Sequence, residues 1–211
     1  LDRDLEEAIG REVRMANDAD CFAFSEAIDG AGAGVATVFG VIVGTGVGGG
    51  LVVHGALVQG PNAIAGEWGH NPLPWPQAAE LPGTECYCGK RGCIETWLSG
   101  PGLSADHERA SGERASPKRL AARTDGAALA TLERHVDRMA RALASVINIF
   151  DPHVIVLGGG MSNLVHVYER VPARWGDYVF CDSVRTRLVR AHHGDSSGVR
   201  GAAWLAKTAP E

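Results

Sequence analysis

Apolar residues recur at steps of three and four between residues 126 and 150, with polar residues between them. That spacing puts the apolar side chains on one face of an α-helix, so the segment predicts a long amphipathic helix. A shorter helix is predicted over residues 19–28, with Ala23, Phe24 and Ala27 towards its buried side. The apolar positions of the long helix are Leu129, Leu132, Val136, Met139, Leu143, Ile147 and Phe150.

Between the helices lie short apolar runs rich in β-branched residues, a pattern typical of buried strands. Such strands alternate along the chain with helices, which favours an α/β fold. The predicted strands cover residues 12–18, 37–44 and 151–160, and two more lie within 51–60 around a turn at His54-Gly55. Further helices are predicted over residues 2–10, near 163–175 and within 194–207, whereas 60–100 is irregular and rich in Pro, Gly, Trp and Cys.

The composition is that of a globular protein, because 45% of the 211 residues are hydrophobic and 21% are charged. A net charge of −5 without a long basic run argues against nucleic acid or an anionic membrane as a partner. No apolar run approaches the roughly 20 residues of a membrane-spanning helix. Five cysteines without disulfide-framework spacing indicate a reducing cytoplasm, and the isolated Cys21 and Cys181 are predicted to be ordinary buried thiols.

The other three cysteines, Cys86, Cys88 and Cys93, fall within eight positions in the sequence CYCGKRGC. Three thiolates in one glycine-containing turn suit a tetrahedral metal ion that lacks only a fourth ligand. His70, sixteen residues before Cys86, is the best-placed candidate, and one histidine with three cysteines is a common structural zinc set. The alternatives are a capping histidine and a redox-active cysteine cluster, although three cysteines exceed what a redox pair needs.

Two glycine-rich segments follow predicted strands. The first, GTGVGGG, has the spacing G-x-G-x-x-G, but strand residues follow it instead of the helix that a dinucleotide fingerprint requires. Its open backbone N–H groups and a threonine hydroxyl can cradle a phosphate, and a plain glycine-rich hairpin is the alternative. The second, VLGGGMS, either lets a flat ligand approach the backbone or forms a tight strand-to-helix turn. The candidate binding residues are Gly44, Thr45, Gly46, Val47, Gly48, Gly49 and Gly50 in the first segment and Gly158, Gly159 and Gly160 in the second.

Polar residues mark three further positions of interest. Asn17 and Asp18 lie where a predicted strand meets a helix, so one of them caps that helix, or Asp18 faces a cleft as a general base. Glu67 stands three residues before His70 in a loop. Glu95 follows Cys93 by two residues, so a metal ion that fixes the cysteine also fixes this carboxylate.

Taken together, these motifs resemble the ROK family of sugar kinases. The segments that carry the resemblance are NDA at 17–19, GTGVGGG at 44–50, GEWGH at 66–70, CYCGKRGCIE at 86–95 and DPHVIVLGGGMS at 151–162. The similarity extends over almost the whole chain and is weakest around 105–125. Within the family, the sequence most resembles bacterial fructokinases. The segments that carry this resemblance are AGEWGHNPLPW, CYCGKRGCIET and HGDSSGVRGAAWL.

The resemblance implies an actin-like, ribonuclease-H-like ATPase fold of two domains with a cleft between them. Residues 1–16 would then be a remnant of the small N-terminal domain, and 17–211 the large domain with its zinc loop at 66–95. The family opens with an Asp-x-Gly-x-Thr phosphate loop that is absent here, and the chain begins at Leu1 instead of Met. We therefore expect it to be the later part of a longer protein, inactive without that loop. A homodimer is also implied.

The resemblance further implies transfer of the ATP γ-phosphate to a hexose hydroxyl with the help of Mg²⁺. By motif, Asp18 takes the role of the base, and segment 44–50 resembles the family's second phosphate loop. The glycines Gly158 to Gly160 resemble those on the adenosine side. The implied sugar ligands are Asn17, Glu67, His70 and Glu95, and the implied structural zinc ligands are His70, Cys86, Cys88 and Cys93.

Within this class of reaction, D-fructose is the sugar that the resemblance to bacterial fructokinases implies. One alternative is an N-acetylglucosamine kinase. Another is the sugar-sensing domain of a ROK-type transcriptional repressor, which would carry a helix-turn-helix ahead of the kinase-like part. The presence of Asp18 favours an enzyme, because a sensor needs no general base.

Overall fold

A mixed five-stranded sheet forms the centre of the computed structural model, which describes residues 1–206. The strands are β1 (Thr37–Val43), β2 (Val47–Val53), β3 (Ala56–Leu57), β4 (Val154–Gly158) and β5 (Arg187–Arg190). Their order in the sheet is β3-β2-β1-β4-β5. Strand β1 pairs with β2 in antiparallel and with β4 in parallel orientation. The sheet with its flanking helices confirms the α/β prediction.

Helices cover both faces of this sheet. The α-helices of residues 1–206 are α1 (Asp2–Ile9), α2 (Asp18–Asp29), α3 (Ile94–Leu98), α4 (Gly100–Ser111), α5 (Pro117–Ala121), α6 (Gly126–Phe150), α7 (Val167–Arg170) and α8 (Ser197–Leu205). Along β1 the side chains alternate between two cores, because successive residues of a strand point to opposite faces. Val38 packs with α2 residues such as Phe22, while Phe39 and Val41 pack with α6. No helix within residues 1–206 combines the length and the apolar character that a bilayer crossing requires.

The long amphipathic helix predicted over 126–150 is confirmed as α6. Its predicted apolar face is buried from Leu132 to Ile147. Leu129 is half exposed, because the first two turns of the helix bury Ala128 and Thr131 instead. The shorter helix predicted over 19–28 is likewise confirmed as α2.

Glycines in strands β1 and β2 explain why α2 can lie so close to the sheet. Sequence analysis placed 44–50 in a loop, whereas only 44–46 form the turn and Val47 already begins β2. A Cβ atom on Gly50 would lie 2.8 Å from the backbone oxygen of Ala19, and one on Gly40 would lie 2.5 Å from Ala23 Cβ. These glycines therefore remove the side chains that would hold the helix away.

Several other predicted elements differ in the structure. Residues 12–18 form no strand, since no strand within 1–206 pairs with them, and the helix expected near 163–175 is only the four-residue α7. Pro172 interrupts it, because proline lacks the N–H that would continue the helix. Strand β5 was not predicted. Cys21 is buried as expected, but Cys181 is exposed. The final helix is confirmed as α8, while Lys207, its predicted end, lies outside the described residues.

A buried carboxylate ties α2 to the segment that leads into α8. Glu26 accepts hydrogen bonds from the backbone N–H groups of Ala31 (2.9 Å), His192 (2.9 Å) and His193 (3.0 Å) and from the Ser197 hydroxyl (2.8 Å). Burial alone would raise the pKa of the Glu26 carboxyl, but these donors hold it below its usual value. The carboxylate thus fixes the helix whose first residue is Asp18.

The crossing of α2 and α8 allows a direct test of this packing. A Cβ atom on Gly201 would lie 1.7 Å from the backbone oxygen of Cys21, so Gly201→Ala is expected to destabilise the protein by roughly 3 kcal/mol. Gly198, in the same helix, has no atom within 4 Å of such a Cβ. Gly198→Ala is therefore the matched control and should be neutral or stabilising by about 0.5–1 kcal/mol. Urea denaturation measures both, and equal effects would refute the close crossing.

Candidate functional site

A cavity of about 430 Å³ opens where the β1–β2 turn, the start of α2, the 68–70 turn and the start of α3 meet. Polar side chains line it from segments that are far apart in the sequence. The structure thus brings together all the residues that sequence analysis proposed for sugar binding and for proton transfer. The lining residues are Asn17, Asp18, Ala19, Ile42, Gly44, Thr45, Gly46, Val47, Gly48, Glu67, His70, Tyr87 and Glu95.

The start of α2 distinguishes the roles open to Asn17 and Asp18. Asn17 is the N-cap, since its Oδ1 accepts a hydrogen bond from the Asp20 N–H at 2.6 Å. Its Nδ2 donates to Glu67 Oε1 at 3.2 Å. Asp18 is the exposed first residue of the helix, and its Oδ1 accepts from the neighbouring Ala19 N–H. The capping role therefore belongs to Asn17, and the second oxygen of Asp18 is available to the cavity.

Asp20, which sequence analysis did not single out, lies just behind these residues. It is buried, and its Oδ1 has no hydrogen-bond partner in the described part of the chain. Burial raises the pKa of the Asp20 carboxyl to about 6, and the negative charges of Glu67 and Asp18 act in the same direction. Above that pH it adds a third negative charge to this side of the cavity. The only signal in the sequence is the acidic pair around Ala19.

Glu95 connects the glycine hairpin with the cysteine-rich segment. It lies in the first turn of α3, two residues after Cys93, and its Oε2 accepts a hydrogen bond from the Val47 N–H at 2.9 Å. A Cβ atom on Gly46 would lie 2.8 Å from the same oxygen, so a larger residue there would displace the carboxylate. The 68–70 turn contacts strand β2 of this hairpin, because Trp68 Nε1 donates a hydrogen bond to the Gly48 oxygen at 3.2 Å.

His70, Cys86, Cys88 and Cys93 form a group whose ligand atoms all lie within 4.8 Å of one another. Cys88 Sγ is 3.6 Å from Cys93 Sγ, and Cys86 Sγ is 3.5 Å from His70 Nδ1. Tetrahedral zinc would separate two sulfurs by about 3.8 Å and a sulfur from a nitrogen by about 3.6 Å. The four residues therefore fit a zinc ion. The other ring nitrogen, His70 Nε2, faces Tyr87 Oη at 2.9 Å, so the ring caps no backbone group.

A second cavity, of about 590 Å³, lies between the two glycine-rich segments. Gly44 and Thr45 line both cavities, so the hairpin turn is where the two meet. A backbone hydrogen bond from Gly100 to the Gly44 oxygen (2.8 Å) fixes α4 beside this turn. Sequence analysis missed four polar residues of this cavity, which lie in or next to the region around 105–125, where the resemblance to the family is weakest. They are Ser104, Arg114, Ser116 and Lys118.

The glycines proposed for ligand binding are not equivalent in the structure. Of 158–160, only Gly160 lines the second cavity. A Cβ atom on Gly158 would lie 2.4 Å from the Phe22 ring, and one on Gly159 would lie 2.5 Å from the Val43 oxygen, so packing explains both. Gly49 and Gly50 are buried in β2 and line neither cavity.

The chain is similar to several known proteins over almost its whole length. A family model described as the ROK family matches residues 1–209. An N-acetyl-D-glucosamine kinase of Yersinia enterocolitica is 41% identical over 212 residues, which cover 97% of this chain and 70% of that protein. A ROK hexokinase from Thermus thermophilus superposes with a TM-score of 0.85 at 32% identity, covering 98% of this chain and 70% of the other.

A solved ligand complex is also similar. The ROK family glucokinase of Streptomyces griseus, in complex with glucose and AMPPNP, superposes with a TM-score of 0.81 at 26% identity. The superposition covers 99% of this chain and 72% of the glucokinase. The similarity to both solved structures includes the sheet, its flanking helices and the loops around the two cavities, because nearly the whole chain is matched.

Proposed function

Because the chain belongs to the ROK family of sugar kinases, its protein is an ATP-dependent sugar kinase with an actin-like α/β fold, and we propose that its sugar is N-acetyl-D-glucosamine. The relatives named N-acetyl-D-glucosamine kinase support that sugar better than the fructose favoured by the sequence motifs. The observation that carries the assignment of a sugar site is the meeting of three carboxylates and a histidine around one cavity beside a glycine hairpin.

In this proposal the sugar lies in the smaller cavity. The carboxylates of Glu67 and Glu95 accept hydrogen bonds from sugar hydroxyls, which are donors that an ionised carboxylate can bind in adjacent pairs. Glu95 is held by the Val47 N–H, and Glu67 by the Asn17 amide, so both carboxylates are oriented before a ligand arrives. Such pre-orientation lowers the entropic cost of binding.

Asp18 is the base of the proposed reaction. It accepts the proton of the sugar hydroxyl while that oxygen forms a bond to the γ-phosphorus of ATP, and the bond from this phosphorus to the bridging oxygen breaks to release ADP. The exposed carboxylate at the start of α2 lines the sugar cavity, within which the hydroxyl must lie. Mg²⁺ bound to the phosphates would neutralise part of their negative charge.

ATP is proposed to occupy the larger cavity, with its γ-phosphate towards Gly44 and Thr45. These two residues support that direction because they alone of the glycine hairpin line both cavities. Lys118 and Arg114 line the same cavity and supply positive charge that can bind phosphates. Gly160 lets the nucleoside approach the backbone, since no atom lies within 4 Å of its missing side chain.

Zinc is proposed to be structural. The ligands His70, Cys86, Cys88 and Cys93 join the 68–70 turn to the segment that enters α3, and a backbone pairing of Pro72 with Cys93 reinforces the junction. A bound zinc ion would therefore hold Glu95 and the histidine ring in place without touching the reacting atoms. The homodimer, the two-domain division at residue 16 and the cytoplasmic location stay predictions.

The sugar preference is tested by ADP release from the full-length protein with a panel of sugars. We expect kcat/KM for N-acetyl-D-glucosamine to exceed that for fructose and for glucose by at least about tenfold, since a site built to bind an amide discriminates against sugars that lack it. A preference for fructose would return the assignment to the interpretation first favoured by the sequence. If the protein binds sugars measurably but turns none of them over, the result would favour the alternative function, the sugar-sensing domain of a transcriptional repressor.

A further inference from the structure

Tyr87 lies between two of the predicted zinc ligands and takes part in the sugar cavity. Its side chain is 84% exposed, yet the ring lines the cavity and packs edge-on against the His70 ring, with centroids 5.0 Å apart. Its hydroxyl lies 2.9 Å from His70 Nε2. The residue was not proposed for any role from the sequence, because it fills the unspecified position of the Cys-x-Cys pair.

Three of the polar side chains around this cavity are carboxylates. Ionised Asp18, Glu67 and Glu95 can only accept, which suits sugar hydroxyls. The carbonyl oxygen of an acetamido group can also only accept, so it cannot bind to any of these carboxylates. A sugar with an acetamido group therefore needs a side chain or backbone group that donates.

The side chains of the cavity that carry donors are Asn17, Thr45, His70 and Tyr87. Asn17 caps α2 and directs its amide towards Glu67, and Thr45 lies at the junction with the second cavity. His70 Nδ1 faces Cys86 Sγ, so if it binds the metal ion through its lone pair, Nε2 carries the ring proton and donates it to Tyr87 Oη. The proton of the tyrosine hydroxyl is then left for a ligand.

The position of Tyr87 also suits a large substituent. An acetamido group is bulkier than the hydroxyl that it replaces, and the exposed ring stands at the open rim of the cavity. We infer that the Tyr87 hydroxyl, oriented by His70, donates a hydrogen bond to the acetamido carbonyl of the sugar and so sets the preference for N-acetylated hexoses. The inference rests on the proposed function and adds a specificity residue to it.

The test compares Tyr87→Phe with the wild-type full-length protein, using calorimetric affinity and kcat/KM for N-acetyl-D-glucosamine and for glucose. The variant keeps the ring and removes the hydroxyl. We expect the ratio of the two affinities, N-acetyl-D-glucosamine over glucose, to fall about tenfold, with the same fall in the ratio of kcat/KM. Tyr178→Phe is the control, because its hydroxyl binds Asp137 and it lines neither cavity, so the ratio should stay as in the wild type.

Metal content and a second variant separate the other outcomes. If Tyr87→Phe changes the affinity for both sugars equally, or lowers the metal content, the residue is structural and the inference is wrong. If the phenylalanine variant matches the wild type while Tyr87→Ala loses both sugars, the ring stacks on sugars and the hydroxyl has no role. Wild-type protein that binds glucose or fructose but not N-acetyl-D-glucosamine would refute the inference and the proposed function together.

Discussion

Asp18→Asn in the full-length protein is expected to lower kcat by at least about 100-fold, because the amide keeps the shape of the side chain but cannot accept the hydroxyl proton. Sugar affinity should change little, since Glu67 and Glu95 still line the cavity. Stability should also be nearly unchanged, because Asn17, and not Asp18, caps α2. The measurements are steady-state kinetics, sugar binding and urea denaturation of the same preparation.

A matched control removes a carboxylate charge from another helix start. Asp125 caps α6 by accepting a hydrogen bond from the Ala128 N–H at 3.1 Å, and it lines neither cavity. Asp125→Asn should leave kcat within about twofold, because asparagine caps a helix about as well as aspartate. If Asp18→Asn behaves like this control, Asp18 is not the base, and the proposed mechanism fails.

Cys88→Ser is expected to remove the metal ion and to unfold the segment around residues 66–95. Structural zinc contributes an apparent free energy of roughly 10–16 kcal/mol in small model sites, so loss of one ligand should cost several kcal/mol here. Wild-type protein purified without added metal should hold about one equivalent of zinc, the stoichiometry of a four-ligand structural site. The variant should hold much less, melt at a lower temperature and bind sugar weakly, because Glu95 lies only two residues after Cys93, the N-cap of α3.

Cys181→Ser is the control for this experiment. Cys181 is an exposed free thiol outside the four-residue metal group, so its loss should change neither the zinc content nor the melting temperature. Thiol titration gives an independent readout, since bound zinc should protect Cys86, Cys88 and Cys93 from modification until a chelator is added. Wild-type protein with less than a tenth of an equivalent of zinc and with all thiols reactive would exclude the metal site.

The buried charges on α6 illustrate what periodicity in a sequence leaves out. Arg138 and Arg141 are almost fully buried, at 4% and 1% exposure. Glu80 binds both, Arg138 at 2.7 Å and Arg141 at 2.8 Å, and Asp106 and Asp137 supply further negative charge. Burial alone would raise the pKa of the Glu80 carboxyl, but the two guanidinium groups lower it to about 2. No local pattern indicates that an acidic residue some sixty positions away will bind both arginines.

The sequence by itself determined the features that depend on short-range spacing. The period of α6, the β1–β2 hairpin and the grouping of three cysteines follow from residues close together in the chain, where backbone geometry fixes which side chains share a face. The motifs also identified the family, because they lie in one order over almost the whole chain. The same local signals could not tell whether Asn17 or Asp18 caps the helix.

Only the tertiary structure decided which of these motifs meet. Packing of α2 on the sheet brings Asp18 to the cavity that Glu67 and Glu95 also line, and glycines in β2 make that close approach possible. The structure also separated the glycines needed for packing, such as Gly158, from those that line a cavity, such as Gly160. These outcomes depend on contacts between distant segments, which are selected by steric fit and burial over the whole fold and leave no periodic trace in the local sequence.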